Sequence, residues 1–260
     1  MHRLFTVDIG NTNITLGVFE DDHLRATGRL STDPTRTRDE VSLLIAGLLK
    51  ARDISPDELD AVSMCSVVPP QTQTVRDAIA DITGIDPLIV GPGVKTGIRV
   101  SYDRTQDVGT DRVVDAVAAT TLYGKPSVVV DIGTATVFDA INKDGEYVGG
   151  AIAPGMRVAA EALYMRTAQL RRVELVAPPN AIGRSTVTSM QSGLVYGYVE
   201  LIEGMLRRIT EELHPDDPDA CKIVATGGLA AVIDPLTDVF DIYDPDLTLQ
   251  GLRIVHELNR

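Results

Sequence analysis

The chain has 260 residues, 44% of them hydrophobic, which is enough for a substantial core in one large domain or two small ones. Its formal net charge is −13, so nucleic acid and anionic membranes are not expected partners, because both would be repelled. No signal-peptide core and no apolar run of membrane-spanning length occurs in the sequence, and we therefore predict a cytoplasmic protein.

The first predicted elements form a β-hairpin around an Asp-Ile-Gly turn. An apolar strand that begins near Leu4 ends at Asp8, Gly10 follows two residues later, and a second strand runs to Phe19. A glycine at this turn would let a phosphate approach the backbone N–H groups. The hairpin is therefore a candidate phosphate-binding turn.

Further along the first half, the pattern predicts a third strand at about 24–30 and a helix that ends near Arg52. Thr37-Arg38-Asp39-Glu40 has the form of a capping box for this helix. A buried strand at 61–68, stopped by two prolines, then precedes a helix at 71–83 and a short strand at 88–90. This order of elements predicts an α/β fold with a mixed sheet.

The second half repeats the strand-turn-strand pattern after a helix predicted at 111–123. Strands are expected at 127–132, 136–141 and 147–152, and the first ends in Asp131-Ile132-Gly133. Asp131 would be placed to hold a cation beside a phosphate. An ordinary hairpin with a turn-forming aspartate is the alternative.

The two Asp-Ile-Gly turns are 131 − 8 = 123 residues apart, close to half of the 260 residues. Such self-similarity indicates a duplicated domain with two phosphate-binding turns that face each other across a cleft, an arrangement suited to a nucleoside triphosphate. We predict domains at 1–110 and 111–260.

The longest predicted helix spans 186–213, with Gly193 and Gly197 four residues apart. Close approach of another helix at these glycines would serve either core packing or a dimer interface. After it, the segment 223–229 reads as a strand followed by a glycine turn, which suits a base or ribose lying on bare backbone.

Several kinds of catalytic machinery are excluded by the sequence. No P-loop motif and no G-x-G-x-x-G after a strand is present, and the four histidines fall outside every motif. Cys65 and Cys221 lack the spacing of a disulfide framework or a zinc site, and Cys65 lies in an apolar run that predicts burial.

The remaining candidate for a general base is Asp111, within Gly109-Thr110-Asp111-Arg112 at a helix start. This carboxylate could accept the proton of a substrate hydroxyl, while Arg112 holds an anionic group. Alternatively, Asp111 merely caps the helix and Arg112 is a surface charge.

Five motifs in order resemble those of type III pantothenate kinases, which belong to the superfamily of acetate and sugar kinases, actin and heat-shock chaperones. The motifs are Asp8-Ile9-Gly10-Asn11-Thr12-Asn13, Pro92-Gly93-Val94-Lys95-Thr96-Gly97, Gly109-Thr110-Asp111-Arg112, Asp131-Ile132-Gly133-Thr134-Ala135-Thr136 and Gly149-Gly150-Ala151-Ile152-Ala153-Pro154-Gly155. The resemblance implies an α/β fold of two ribonuclease-H-like domains, the actin-like ATPase fold, with mixed sheets flanked by helices and an ATP cleft between them. It also implies a homodimer that uses ATP to phosphorylate pantothenate to 4′-phosphopantothenate, the first step of coenzyme A biosynthesis.

The resemblance assigns roles to particular residues. It implies ATP contacts at Asp8, Ile9, Gly10, Asn11, Thr12, Asn13, Ile14, Thr15 and Thr134. It implies pantothenate contacts at Tyr102, Gly109, Thr110, Asp111, Arg112 and Thr186, with Asp111 as the proton acceptor. Asp131 is similar to the ligand of a monovalent cation, K⁺ or NH₄⁺, and Mg²⁺ would arrive with the nucleotide. For Thr186, capping of the long helix is an equally good local explanation.

Two departures from the family pattern are Arg171, where a proline is expected, and Val137, where a threonine is usual.

Two other hypotheses about the function stay open. One is a non-catalytic regulator, since relatives called Bvg accessory factors share this scaffold and a fold alone does not certify activity. The other is a kinase of the same superfamily that acts on a sugar or a different hydroxyl acid. A chaperone-like ATPase is not expected, because no separate peptide-binding domain follows.

Overall fold

The structure is a computed structural model that describes residues 2–167 and 170–260, and it divides into two compact units. The first unit comprises the chain up to Ile98 together with Arg104–Ala118 and Leu247–Arg260. The second unit comprises Arg99–Asp103 and Ala119–Asp246.

The first unit contains a sheet of five strands in the order β3-β2-β1-β4-β5. The strands are β1 Arg3–Ile9, β2 Asn13–Glu20, β3 His23–Ser31, β4 Ala61–Ser66 and β5 Leu88–Ile89. Its helices are α1 Arg38–Lys50 and α2 Pro69–Thr83, followed by α3 Thr110–Leu122, most of which belongs to this unit, and by α7 Leu247–Leu258 at the end of the chain. β1 is antiparallel to β2 and parallel to β4.

The second unit contains six strands in the order β11-β10-β7-β8-β9-β6. The strands are β6 Arg99–Val100, β7 Ser127–Ile132, β8 Ala135–Ile141, β9 Glu146–Pro154, β10 Lys222–Thr226 and β11 Ile242–Tyr243. Its helices are α4 Met156–Arg166, α5 Thr186–Leu213 and the short α6 Ala230–Ile233.

The two sheets repeat one topology. Three antiparallel strands are followed by two parallel ones, as β3-β2-β1-β4-β5 in the first unit and β9-β8-β7-β10-β11 in the second, where β6 adds to the edge. Asp8 and Asp131 each occupy the second-last position of the central strand of this five-strand arrangement, which is β1 in the first unit and β7 in the second. The predicted α/β class with two ribonuclease-H-like halves and mixed sheets is therefore confirmed.

The predicted boundary at residues 110 and 111 does not coincide with the two units. The C-terminal helix α7 belongs to the first unit, because its apolar side chains Leu249, Leu252 and Val255 are buried there. Along α3, the change of unit falls between Ala118 and Ala119. Apolar contacts between distant parts of the chain decide this division, and a local pattern cannot show them.

Most predicted elements are present with shifted ends. The capping box is confirmed: Thr37 accepts a hydrogen bond from the Glu40 N–H, and the Glu40 carboxylate accepts one from the Thr37 N–H. Strand β4 ends at Ser66 rather than at Val68, and α2 begins at Pro69 rather than after the two prolines. Proline suits the first helical position, where its missing N–H has no helical partner.

No helix in residues 2–167 and 170–260 combines the length and the apolar character that crossing a bilayer would require.

Candidate active site

The first Asp-Ile-Gly turn is a compact loop held by its own backbone and by one threonine. The Gly10 N–H donates to the Asn13 carbonyl at 3.0 Å. Thr32 donates its hydroxyl to the Gly10 carbonyl at 2.6 Å and its N–H to the Thr12 carbonyl at 2.9 Å. The turn is thus held by the residue that directly follows β3, as a preformed phosphate-binding loop requires.

The predicted nucleotide segment has two kinds of side chain. Ile9 and Ile14 are 0% and 2% exposed and belong to the core of the first unit. Asn11, Thr12 and Asn13 are exposed, and Asp8 is half-buried. The polar residues of the segment can therefore contact a ligand through their side chains, whereas the two isoleucines would contribute backbone groups only.

Asp111 lies in the first turn of α3, where the helix dipole and unpaired N–H groups favour a negative charge. Its Oδ1 accepts a hydrogen bond from the Arg112 N–H at 2.8 Å. Burial raises the pKa of this carboxyl above its usual value, and the hydrogen bond and the charge of Arg112 partly counter that rise. In the part of the chain that the structure describes, Oδ2 forms no hydrogen bond. Asp111 thus satisfies one helix N–H, as the capping alternative supposes, and keeps an oxygen available to a proton donor.

Gly109 makes room for this carboxylate. A Cβ at position 109 would lie 2.4 Å from Oδ1 of Asp111 and 3.3 Å from Cγ1 of Val67. Any side chain at position 109 would displace the Asp111 carboxylate. This collision explains why the Gly-Thr-Asp-Arg motif begins with a glycine.

Two consecutive residues of β4 connect Asp8 with the beginning of α3. Cys65 donates its thiol hydrogen to Oδ1 of Asp8, with 3.4 Å between sulfur and oxygen. Thr110 bonds to the backbone of Ser66 through its hydroxyl. The structure therefore brings Asp8, Thr110 and Asp111 together in the first unit, and the half-buried Arg112 follows directly on α3.

In the second unit, Asp131 lies against a glycine turn that follows β10. A Cβ at Gly227, whose φ is +94°, would lie 2.2 Å from Oδ1 of Asp131 and 2.6 Å from the Ile132 nitrogen. The described group that lies closest to this glycine is Asp131, and the predicted contact of a base or ribose with the turn stays a prediction.

The turn after Asp131 is fixed in a similar way. The Gly133 N–H donates to the Ala135 carbonyl, and the Gly155 N–H donates to the Thr134 carbonyl, at 2.9 Å and 3.0 Å. A Cβ at Gly155 would lie 2.4 Å from both carbonyl oxygens of Gly133 and Thr134. Thr134 itself is exposed.

The predicted substrate residues Tyr102 and Thr186 occupy separate parts of the second unit. The Tyr102 ring is 41% exposed, lies 6.3 Å from the ring of the buried Tyr147, and would contact a Cβ at Gly149 at 3.7 Å. Thr186 is the exposed first residue of α5. It borders a cavity of about 580 Å³ whose other lining residues are Leu163, Leu170, Ser189, Met190, Gly193 and Leu194.

Cation binding at Asp131 would depend on few side chains. Among residues 2–167 and 170–260 no group of three or more His, Cys, Asp or Glu side chains is arranged to hold a metal ion. A monovalent cation accepts a single carboxylate with backbone carbonyls and water as further oxygen ligands, and Asp131 is a half-buried carboxylate beside two glycine turns. The residues present therefore fit a weakly held cation.

Sequence reasoning did not find Thr32 and Cys65 as parts of the site. Cys65 was expected only to be buried, and it is 0% exposed. Its place opposite Asp8 follows from the parallel register of β1 and β4, which pairs residues 57 positions apart. Register between distant strands leaves no local signal in one sequence.

Solved structures share this fold at low sequence identity. The chain aligns over 98% of its length with 98% of a Campylobacter jejuni protein described as a putative Baf family transcriptional activator, at 20% identity and a TM-score of 0.62. It aligns over 100% of both chains with an inorganic polyphosphate/ATP-glucomannokinase from Arthrobacter, at 15% identity and a TM-score of 0.53. An activator of 2-hydroxyisocaproyl-CoA dehydratase from Clostridium difficile, with ADPNP bound, aligns over 99% of this chain and 96% of its own, at 12% identity and a TM-score of 0.53. The chain thus shares its fold with a glucomannokinase and with an activator that was solved with ADPNP bound.

The family model for type III pantothenate kinase matches residues 4–208. A type III pantothenate kinase of Moorella thermoacetica is 46% identical over 98% of this chain and 99% of its own length. One from Dehalococcoides mccartyi strain CBDB1 is 44% identical over 99% of this chain and 97% of its own. The chain belongs to the type III pantothenate kinase family, which is a family of phosphotransferases.

Proposed function

We propose that this protein transfers the γ-phosphoryl group of ATP to the primary hydroxyl of pantothenate, giving 4′-phosphopantothenate and ADP in the first step of coenzyme A biosynthesis. The observation that carries the proposal is the match over nearly the whole chain to relatives named for this activity. The arrangement around Asp111 supports it, because a hydroxyl acceptor needs a base with an open oxygen.

The reaction assigned to this site is an in-line displacement. The hydroxyl oxygen of pantothenate forms a bond to the γ-phosphorus while the bond to the ADP oxygen breaks, and the hydroxyl proton passes to Asp111. A raised carboxyl pKa makes Asp111 a better proton acceptor than an exposed aspartate.

The nucleotide would be held by backbone groups and a few side chains. The turn formed by residues 10–13 offers N–H groups, Asn11 and Thr12 offer polar side chains, and Thr134 offers a hydroxyl from the second unit. Magnesium bound with ATP supplies neutralisation of the phosphate charge. Asp131 is the proposed ligand of K⁺ or NH₄⁺.

The pantothenate carboxylate would be bound by Arg112, whose guanidinium offers a fork of N–H donors. This gives an acidic protein of net charge −13 a local cation for an anionic substrate. The exposed face of Tyr102 can pack on the aliphatic part of the substrate. Thr110 and Thr186 are the proposed hydroxyl contacts.

We further propose that the enzyme is a homodimer, as the family resemblance implies. Helix α4 buries only its first residue, Met156. Large apolar side chains on α4 and near the beginning of α5 are exposed, namely Val158, Leu163, Tyr164, Met165, Ile182 and Val187. Apolar surface of this extent in one region is typical of an interface, and a second copy of the chain is the occupant that we propose.

The test of the reaction is Asp111→Asn compared with Asp107→Asn, an exposed aspartate of the preceding loop. We expect Asp111→Asn to lower kcat by about 10²–10⁴-fold, because a positioned base contributes that much, and Asp107→Asn to retain the wild-type rate. ADP release is measured with and without pantothenate and K⁺, and the product is identified by mass. Equal kcat values for the two variants would remove Asp111 from the mechanism.

The same assay separates the other hypotheses. A panel of hydroxylated acids and sugars shows which acceptor raises ADP release, and a sugar that outperforms pantothenate would replace it as the substrate. Tight ATP binding without any phosphorylated product would instead favour a regulator.

A further inference from the structure

The end of strand β4 contacts two parts of the proposed site through adjacent residues. β4 runs parallel to β1, with Cys65 opposite Asp8 and Ser66 opposite Ile9. The Cys65 thiol donates to Oδ1 of Asp8, with 3.4 Å between sulfur and oxygen. Cys65 is completely buried, whereas Asp8 is half-buried, so the bond holds one oxygen of a carboxylate that is in part exposed to solvent.

Ser66 holds the beginning of α3 by a reciprocal pair of hydrogen bonds. Its N–H donates to Oγ1 of Thr110 at 3.3 Å, and its carbonyl accepts from the same hydroxyl at 3.1 Å. Thr110 directly precedes Asp111. A single strand end therefore sets the position of the proposed base as well as the orientation of the Asp8 carboxylate.

The protonation state of Cys65 suits a permanent hydrogen-bond donor. Burial raises the pKa of its thiol well above the usual value, and the negative charges of Asp8 and Asp111 raise it further. The thiol therefore stays protonated at neutral pH and adds no charge where carboxylates already repel one another.

We propose that Cys65 is a positioning residue of the phosphoryl transfer, which fixes the orientation of the Asp8 carboxylate toward the nucleotide by donating its thiol hydrogen. The inference rests on the proposed function, because it takes Asp8 to be part of the nucleotide segment. Without the donor, the Asp8 carboxylate loses one of the contacts that orient it, and the affinity for MgATP falls. Pantothenate contacts at Arg112 and Tyr102 do not depend on this bond.

The test compares Cys65→Ala, which removes the donor, with Cys65→Ser, which replaces the thiol by a hydroxyl donor. Cys221→Ala is the matched control, because Cys221 is likewise a buried cysteine, 3% exposed, but lies in the second unit beside β10. Cys65→Val, which fills the space without a donor, serves as a second donor-free variant if the alanine variant does not fold.

For the donor-free variants we expect the KM for ATP to rise by about tenfold or more, as is usual when a residue that orients a ligating group is lost. The KM for pantothenate should stay within about twofold of the wild type, since a factor of two is only about 0.4 kcal/mol. Cys65→Ser should recover most of the ATP affinity, and Cys221→Ala should match the wild type.

The inference is overturned if the KM for ATP is unchanged in the donor-free variants, if Cys65→Ser fails to recover it, or if Cys221→Ala shows the same shift. Calorimetric titration of each variant with MgATP, without pantothenate, reports the same difference as a Kd. A wild type that binds MgATP but forms no phosphopantothenate would refute the proposed function, while the ratio of the Kd values for Cys65→Ala and Cys65→Ser would still decide the role of Cys65.

Discussion

At the scale of single residues, the environment of Asp111 determines how this carboxylate can work. Burial disfavours its charged form and raises its pKa, while the Arg112 N–H and guanidinium charge favour the charged form and limit the rise. A fully exposed aspartate would be a weaker base, and a fully buried one without these partners would be protonated at neutral pH. Burial raises the pKa of the Asp111 carboxyl and Arg112 limits that rise, and a general base benefits from such a moderately raised pKa.

This shift predicts a pH dependence of catalysis. Protonated Asp111 cannot accept the substrate proton, so kcat/KM for pantothenate should fall as the pH drops through the raised pKa of the free enzyme. The acid limb should therefore lie above the ordinary aspartate value of about 3.9. A profile of kcat/KM against pH checks this, with Asp107→Asn expected to keep the limb. If the residual activity of Asp111→Asn shows the same fall of kcat/KM at low pH, the fall does not arise from Asp111.

The same shift has a consequence for stability. Because the pKa of Asp111 is higher in the folded than in the unfolded chain, ionisation favours unfolding, and stability is lost as the pH rises through these two values. Asp111→Asn removes the ionisable group, so at pH of about 7 the variant should be at least as stable as the wild type. Urea unfolding measures this, and a marked loss of stability would show that the carboxylate is structurally required.

At the scale of elements, a glycine turn of the second unit leaves room for a side chain of the neighbouring strand, because glycine has no Cβ. Asp131 and Thr226 are paired across β7 and β10, and the turn after Thr226 passes directly over the Asp131 carboxylate. In the first unit, the equivalent register pairs Asp8 with Cys65. The neighbouring parallel strand thus places a thiol donor beside Asp8 in the first unit and a glycine turn beside Asp131 in the second.

Substitution of Gly227 by alanine tests this spacing. The new Cβ would collide with Asp131, and the positive φ of +94° adds backbone strain. Gly124→Ala is the control, because Gly124 has a similar φ of +103° but no described atom within 4 Å of a Cβ. We expect Gly124→Ala to cost about 1 kcal/mol from strain alone and Gly227→Ala to cost at least about 2 kcal/mol.

Only Gly227→Ala should also weaken the activation by K⁺, because only this change displaces Asp131. Urea unfolding and the K⁺ dependence of ADP release measure the two effects. Equal losses in both variants would mean that the approach of Gly227 to Asp131 has no functional consequence.

At the scale of the whole molecule, the repeated topology explains why one chain presents two Asp-Ile-Gly turns. Each turn follows the central strand of the shared five-strand arrangement, β1 in the first unit and β7 in the second. Each is supported by the parallel strand beside it. The duplication inferred from the spacing of 123 residues is thus visible in the sheets, although the C-terminal helix returns to the first unit.

The proposed dimer makes a prediction about the glycines of α5. A Cβ at Gly193 or Gly197 would have no described atom within 4 Å, so neither glycine is needed for packing within the described chain. Gly193 also lines the cavity beside Thr186. If a second copy packs here, Gly193→Leu should weaken the dimer by about tenfold or more, equivalent to about 1.4 kcal/mol.

Gly47→Leu is the matched control for this change. Gly47 is also an exposed helix glycine with no described atom within 4 Å of a Cβ, but it lies on α1. Both variants should gain some helix propensity, so loss of folding is not expected. Sedimentation velocity over a range of concentrations measures the dimer. Equal dimer affinities for the two variants would place the interface elsewhere.

The fold could be predicted in large part because its determinants are local. The capping box at Thr37, the apolar run of β7 and the helical pattern of α5 each lie within one continuous segment, and each of these predicted elements is present. Helices α4 and α7 were not predicted. The apolar side chains of α4 are exposed rather than buried along one face, which leaves a weak pattern.

The sequence by itself determined the α/β class, the duplicated turns and the family, because motif residues and their order are properties of the chain. Only the tertiary structure decided that Cys65 contacts Asp8, that Gly227 passes over Asp131 and that α7 completes the first unit. Cys65 and Asp8 are 57 positions apart in the sequence, and Gly227 and Asp131 are 96 positions apart. The geometry of these contacts follows from strand register and from core packing. Register and packing depend on the whole set of apolar contacts at once, which is why no local pattern specifies them.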